Sequence, residues 1–562
     1  MKTKTTLCTF ALTFLCLSNK SHAQVQVLEK TYEVSNKARK GFLESIEVNK
    51  EKGTIDMVYI LPTGSSTKRD NFLGITNATL GGKIKSEVYS YDKDLNLLGT
   101  SREEERAYRL KYPEYEYNSL QPTIKLSCLC LAFQNVETKA SYNWFSGYKK
   151  TVKYQEKTKA ESESGANYSF TGRYYDLPSD KSILTLAGKK VKKLPWNYFL
   201  HYAILKVNNN TVNIQEADSV NFQYANNTIY SGPISDDTEQ INDEAPRDWV
   251  IVFAPMKSKP FGDPKPNNLT YVRISPKGKI LENVSFESPT NGWNIEGLYE
   301  KDGHTYLYGS AFTKNPTEKY YEEVIKKDFS QLTLTNYQVV KITKGKVDFI
   351  SSPSFKDMQA QQVKPVNQKK LLELNGKEHI TTGIKVLSNG AVLITYQDYE
   401  IKGAPSKQGG TYKKQNGVFL LHFDASGTFK KNYGVDINPD PNDVKKFSTD
   451  VWEVPAKHAF YPTEDGKRLY WLINSVKDVA CIGEANADMN NIVCKPMNAI
   501  NYGYINLENG EISEYKTLGS DKKNPFYLFG KTEAYTWDNN LYFFSENEKG
   551  DKILLSKMDI SK

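Results

Sequence analysis

The stretch Asn501–Gly519, NYGYINLENGEISEYKTLG, decides the fold. Apolar and polar residues alternate, a short turn follows at Glu508, Asn509 and Gly510, and alternation resumes. Period-two alternation on both sides of an Asn-Gly turn is the signature of a β-hairpin. The same form recurs in EVYSYDKDLNLLGTS from Glu87, HYAILKVNNNTVNIQEA from His201, LTYVRISPKGKILENVSF from Leu269 and NYQVVKITKGKVDFISS from Asn336. It appears again in GVFLLHFDASGTFKKNYG from Gly417 and, truncated, in DKILLSKMDISK from Asp551. Copies of one hairpin through a whole chain make a repeat protein.

Each clean copy is preceded by a second hairpin: NIEGLYEKDGHTYLYGSAF from Asn294, ITTGIKVLSNGAVLITYQDY from Ile380 and HAFYPTEDGKRLYWLINSV from His458. The unit is therefore four strands, A to D, with tight A–B and C–D turns and a variable B–C insert. Four-stranded antiparallel units repeated radially are the blades of a β-propeller. The order DGxxYLxGS, insert, YxVVKIxxxGK resembles the propeller repeats of secreted bacterial proteins. That resemblance implies a fold and no chemistry. We expect an all-β propeller of seven four-stranded blades, with six or eight as alternatives. Blade one takes residues 41–61 and the Glu87 hairpin, and blade two opens with IKLSCLCLAF from Ile124. Residues 24–562 read as one domain, because no Pro/Ser-rich linker divides them. KYYEEVIKKD from Lys319 is the one helix-like stretch.

The last blade has only three strands written, whereas QVQVLEKTYEV after residue 23 is an orphan strand. An open sheet edge is a hazard, so Val25 to Val34 is expected beside Lys552 to Asp559, closing the ring. Residues 1–23 read as a secretory signal peptide: Lys2 and Lys4, an apolar run, then Ser21-His22-Ala23 before cleavage at Ala23/Gln24. The mature chain is expected in the periplasm, at the outer membrane or outside the cell, with no transmembrane segment. Its pattern Asp218-Ser219-Val220 resembles O-glycosylation sites of Bacteroidota exports.

Removing that leader takes away three lysines (Lys2, Lys4, Lys20) and no acid, so the net charge falls from +8 to +5. The remaining charges are mixed in sign without a basic stripe, which argues against nucleic acid. Cys481 and Cys494 flank a polar loop, and a bridge there would contribute about 3 kcal/mol in an oxidising compartment. Cys128 and Cys130 read as small buried hydrophobes.

Catalytic signatures of the nucleophile-elbow, phosphate-loop and zinc-helix kinds are missing. The histidines His201, His304, His379, His422 and His458 never stand at local metal spacing, and each reads as structural. Asp436, Asn438, Asp440 and Asp443 form the best calcium-like cluster, but Pro441 stands where a glycine is wanted, so no metal and no cofactor are expected, with calcium there as the alternative. Asp92, Asp94 and Asn96 have similar spacing inside a C–D turn, and the turn explains them.

Two functions remain. The first is a non-enzymatic binding or scaffold protein of the bacterial envelope, with a protein or glycan partner. The second is a carbohydrate-active hydrolase or lyase. The acting face is expected where the long B–C and D–A connections gather. The largest insert carries Tyr142, Trp144, Phe145 and Tyr148, a candidate ligand platform. An enzyme should bring acids, or an acid with His, Arg or Tyr, together at the blade tops; a scaffold should not.

Overall fold

The computed structural model describes residues 25–61, 83–106, 115–127, 130–143, 147–159, 168–177, 182–190, 199–208, 214–234, 247–256, 265, 267–312, 334–374, 376, 378–403, 411–437, 455–482, 493–519, 526–527, 534–547 and 550–561. They are nearly all strand, in antiparallel sheets of a propeller-like fold. Phe42–Asn49, Thr54–Ile60, Lys83–Asp92 and Leu97–Arg106 make the first four-stranded sheet, in chain order. Lys457–Pro462, Arg468–Ile482, Val493–Asn506 and Lys516–Thr517 make another in the same order.

The turns follow from residue chemistry. Asp302 and Gly303 both take positive φ (52° and 75°), as do Lys344 and Gly345 (47° and 72°). Two successive positive φ values match the right-handed twist of the flanking strands, and Asp and Gly tolerate them. At Asn509–Gly510 the Asn506 side chain accepts from the Glu508 amide at 2.9 Å, fixing the turn from inside.

The core lies between the sheets. Along Trp249–Pro255 every residue after Trp249 is buried, because a central strand is covered on both faces. The edge strand Ile280–Glu287 alternates covered and exposed positions instead, with Phe286 buried. One apolar cluster runs from Val250 and Tyr271 through Trp293 and Tyr337 to Tyr396 and Phe419, joining three sheets.

The expected pairing of the chain ends is present. Val27–Glu33 runs antiparallel to Lys552–Asp559, from Val27 opposite Met558 to Glu33 opposite Lys552, at the edge of the last sheet. The unit after the first differs from its expected form. Tyr115–Ser127, Cys130–Asn143 and Gly147–Lys159 form a separate three-stranded sheet. The run from Ile124 is thus two antiparallel strands, with Ser127 opposite Cys130, and the unit instead opens at Tyr168–Leu177. The next two units are continuous. Ile214–Pro233 pairs with Phe199–Asn208 through its first half and with Trp249–Pro255 through its second. No Gly or Pro interrupts ADSVNFQYANNTIYS, so nothing in it forces a turn.

The leader with Ala23 and Gln24, Cys128, the stretch from Lys319, and Asn438 to Asp443 lie outside the described residues. No helix among the described residues is long and apolar enough to cross a membrane.

Candidate functional site

The sheet holding Gly297–Lys301 and His304–Phe312 meets the sheet holding His379–Val386 and Val392–Gly403 at a buried polar cluster. It lies at the end away from the Asp302–Gly303 and Asn389–Gly390 turns, among the long connections. Its first member, Glu296, is placed by a bulge. Asn294 N donates to Ser310 O at 2.8 Å and Glu296 N to Tyr308 O at 2.9 Å, and a Cβ on Gly309 would meet Asn294 O at 2.0 Å. Only glycine lets the two segments approach so closely. The repeat pattern YLxGS therefore has a local purpose: Gly309 admits the bulge, and Ser310 N then donates to Glu296 Oε1 at 3.1 Å.

His379 comes from the neighbouring sheet. Its Nε2 lies 2.6 Å from Ser310 Oγ and 3.7 Å from Glu296 Oε1. Its ring stacks on Tyr396 with centroids 4.6 Å apart, and Phe355 of the short helix Phe355–Ala360 packs 5.9 Å away. Thr381 Oγ1 donates to Glu296 Oε2, and the buried Tyr337 hydroxyl lies 2.8 Å from Thr381 Oγ1. Asp398 is the residue directly opposite His379 across the strand pair, so both project from the same face.

The electrostatics separate the two carboxyls. Burial raises the Glu296 pKa, but hydrogen bonding and charge from His379, then Thr381 and Ser310, outweigh it and hold the carboxyl below its usual value. Asp398 has no such donors. Burial, with the Glu373 charge added, pushes it up to about 8, so it carries a proton at neutral pH. Carboxyls whose surroundings drive their pKa values in opposite directions are candidates for separate acid and base roles. Four polar atoms around the pair are buried without a hydrogen-bond partner among the described residues: His379 Nδ1, Thr382 Oγ1, Tyr396 OH and Asp398 Oδ1. Orphaned buried groups are costly, and clusters of them mark functional sites.

Ser310 is fully buried, and its hydroxyl and Glu296 approach the same imidazole nitrogen. A nucleophile–histidine–carboxylate relay needs both ring nitrogens, so Ser310 is not a nucleophile of that kind.

The remaining sequence candidates fall elsewhere. Tyr142 and Tyr148 are register partners in the hairpin Cys130–Asn143/Gly147–Lys159, and Trp144 and Phe145 lie outside the described residues. Cys481 is the direct cross-strand partner of Cys494. Asp92 accepts from the amides of Asp94 and Asn96, while Lys30 and Lys557 supply ammonium groups to Asp94 and Asn96. That loop is a turn completed by lysines. Asp218 likewise accepts the amides of Ser219 and Ile280 at 2.8 and 2.9 Å. On the tight-turn face a cleft of about 310 Å³ holds Arg273, clamped by Asp248 at 2.6 Å and Glu300 at 3.0 Å.

No protein-family model and no curated protein matches the chain. It is similar to a solved lignostilbene dioxygenase of Pseudomonas brassicacearum, at 10% identity over 80% of this chain and 93% of that one, with a TM-score of 0.31. A variant of the Synechocystis apocarotenoid oxygenase is similar at 9% identity over 78% and 88%, TM-score 0.28. The WD40 domain of SCAP from fission yeast is similar at 8% identity over 95% and 98%, TM-score 0.21.

Two expectations are corrected here. The non-enzymatic scaffold reading is set aside, because the neighbours include enzymes named as oxygenases. The expectation of no cofactor is set aside with it, those structures being named as oxygenases. The likeness assigns no residue of this chain. Among the described residues no three His, Cys, Asp or Glu side chains are grouped to hold a metal ion. His201 and His304 are engaged by Asn221 and Thr343, and His458 accepts from Trp471 Nε1.

Proposed function

We propose that the protein is an exported acid–base enzyme, a hydrolase or lyase of glycans, working at Glu296, His379 and Asp398. The observation that carries this reading is their convergence at one end of two sheets, beside buried polar atoms that lack partners among the described residues. Glycan cleavage needs a proton donor for the leaving oxygen and a basic group opposite it. Asp398 supplies the donor, and His379 backed by the Glu296 carboxylate supplies the base.

The setting belongs to the same proposal. Residues 24–562 form one domain of seven blades closed by the N-terminal strand, released after cleavage at Ala23/Gln24 into the periplasm or beyond. Cys481 and Cys494 are bridged there. Tyr142, Trp144, Phe145 and Tyr148 hold the glycan chain away from the acid–base centre.

The test is turnover of neutral and uronate polysaccharides, read as new reducing ends and as unsaturated products. Loss of turnover in Glu296→Gln and in Asp398→Asn, with the fold retained, supports the reading. Wild-type turnover in the double variant overturns the site, and inactivity of the native protein on both polysaccharide classes overturns the glycan assignment.

A further inference from the structure

The cleft of about 310 Å³ on the tight-turn face lies at the opposite end of the sheets from Glu296. Its size falls in the lower part of the range for small-molecule sites, about 300–1,000 Å³. Two sheets supply its charged groups, and a third anchors one of them. Asp248 precedes Trp249–Pro255, Arg273 lies in Asn268–Ile274, and Glu300 and Lys301 end Gly297–Lys301. The Lys301 ammonium donates to the Val386 carbonyl of the third sheet at 2.8 Å.

Arg273 is held from both sides. Its Nε donates to Asp248 Oδ2 at 2.6 Å, and its Nη1 lies 3.0 Å from Glu300 Oε2, one carboxylate from each sheet. The Arg273, Asp248 and Glu300 side chains are only 19%, 21% and 21% exposed, so the fork is set before any ligand arrives. Nη2 carries two further N–H donors that no other described residue takes. An ion-pair clamp between two sheets explains the two bonds that Arg273 makes. It explains neither the open cleft in front of them nor the donors left over.

Charge decides the ligand class. Arg247, Arg273 and Lys301 line the cleft against Asp248, Glu300 and Asp302, three cations and three acids. An anion on the Nη2 donors would meet the Asp248 and Glu300 carboxylates, and a cation would meet Arg273. A neutral hydroxyl escapes both repulsions: its oxygen accepts from Nη2 and its proton goes to a carboxylate oxygen. Neighbouring hydroxyls of a sugar ring offer that pairing side by side.

We infer that this cleft binds a neutral sugar residue through its hydroxyl groups, as a second glycan site sharing no residue with the acid–base centre. No bond is made or broken there, and binding does not depend on turnover at the other end.

The experiment is calorimetric titration of the full mature chain with maltose, cellobiose and lactose, and with glucuronate and glycine as charged and zwitterionic probes. At least one disaccharide should bind, and more tightly than glucuronate or glycine. Arg273→Lys keeps a cation between Asp248 and Glu300 but lacks Nη2. It should weaken that binding about 10–100-fold, the effect of losing a hydrogen bond to a charged group. Glu300→Gln, which keeps the shape and drops the charge, should act in the same direction. The sugar signal should persist in Glu296→Gln. Silence from all three disaccharides, tighter binding of glucuronate or glycine, or wild-type affinity in either folded cleft variant overturns the assignment. So does loss of binding in folded Glu296→Gln, which would move the sugar to the acid–base centre. Binding without turnover leaves the assignment standing and counts against the enzymatic reading alone.

Discussion

Lys557 donates to the Asp94 carboxylate at 2.8 Å, joining residues 463 positions apart. Lys557 lies in the last strand and Asp94 in the second tight turn of the first sheet, so the bond spans the two ends of the chain. Lys30, from the N-terminal strand, donates to the Asp94 carbonyl in the same place at 2.7 Å. The Tyr542 hydroxyl donates to the neighbouring Lys93 carbonyl at 3.0 Å. The Asp94 side chain is more than half exposed, so the ion pair itself contributes little. What holds the seam is the strand pairing and the apolar layer beneath it, where Tyr91 and Leu95 pack with Ile553 and Leu555.

Deleting residues 24–36 should therefore lower the melting temperature sharply, because it strips the partner from Lys552–Asp559 and exposes a sheet edge. Replacing Lys557 by Met should shift it by no more than a degree or so, in keeping with an exposed pair. Differential scanning calorimetry of the two variants decides this. Equal, small shifts would show that the N-terminal strand is dispensable.

Asp398 gives a prediction with a definite sign. Its carboxyl is raised from 3.8 to about 8, so the folded state keeps a proton that the unfolded chain releases. Its contribution is complete below pH 3.8 and is lost as pH rises towards 8. Asp398→Asn keeps the shape without the charge. The variant should match wild type at pH 4 and melt about 1–3 °C higher at pH 9, a modest rise for so large a domain. A variant that melts lower at pH 9 would mean that the ionised carboxylate stabilises the fold.

His458 runs the other way. Burial holds its pKa down to about 3, and Trp471 Nε1 donates to its Nδ1 at 3.1 Å, so the folded state takes it up neutral. The unfolded chain protonates it near 6.5. Its stabilising contribution is present above pH 6.5 and is lost as pH falls towards 3. His458→Gln should be less stable at pH 7, through the lost Trp471 contact, but should lose less stability between pH 7 and 4. Parallel denaturation curves for the two proteins across that range would contradict this.

How far the sequence reveals these features depends on whether neighbours in space are neighbours in the chain. Asp302–Gly303 and Asn509–Gly510 announce their hairpins because turn chemistry and alternation are local. The pairing of Val27–Glu33 with the last strand follows from counting strands, which is equally a property of one sequence. The run from Ile124 misleads because no Gly, Pro, Asn or Asp marks the reversal between Ser127 and Cys130. The polar cluster was hidden for a different reason. Glu296, His379 and Asp398 sit on three segments of two sheets, and no spacing connects them. His379 stands at local metal spacing from no other histidine, so it reads as structural. The one usable signal was Gly309-Ser310 in the repeat motif, a glycine in mid-strand, which marks a close backbone approach.

The last prediction concerns Cys481 and Cys494. The two residues are direct partners across Arg468–Ile482 and Val493–Asn506, beyond a register shift at Val476/Asp478. Directly opposed residues in an antiparallel pair have Cα atoms about 4.5–5.5 Å apart, inside the range a disulfide spans. The proposed export would bring the chain into an oxidising compartment, where a bridge enclosing a loop of about a dozen residues would contribute about 3 kcal/mol through the unfolded state. Protein taken from its native compartment should yield, without reduction, one peptide pair linked through these cysteines. Cys481→Ser should melt a few degrees lower than oxidised wild type and should equal wild type once a reductant is added. The reductant control separates the bridge from the packing of the thiols: a variant that stays less stable than reduced wild type has lost packing. Two thiols that alkylate freely in the native protein would end the proposal, since strand pairing alone then holds the loop's ends.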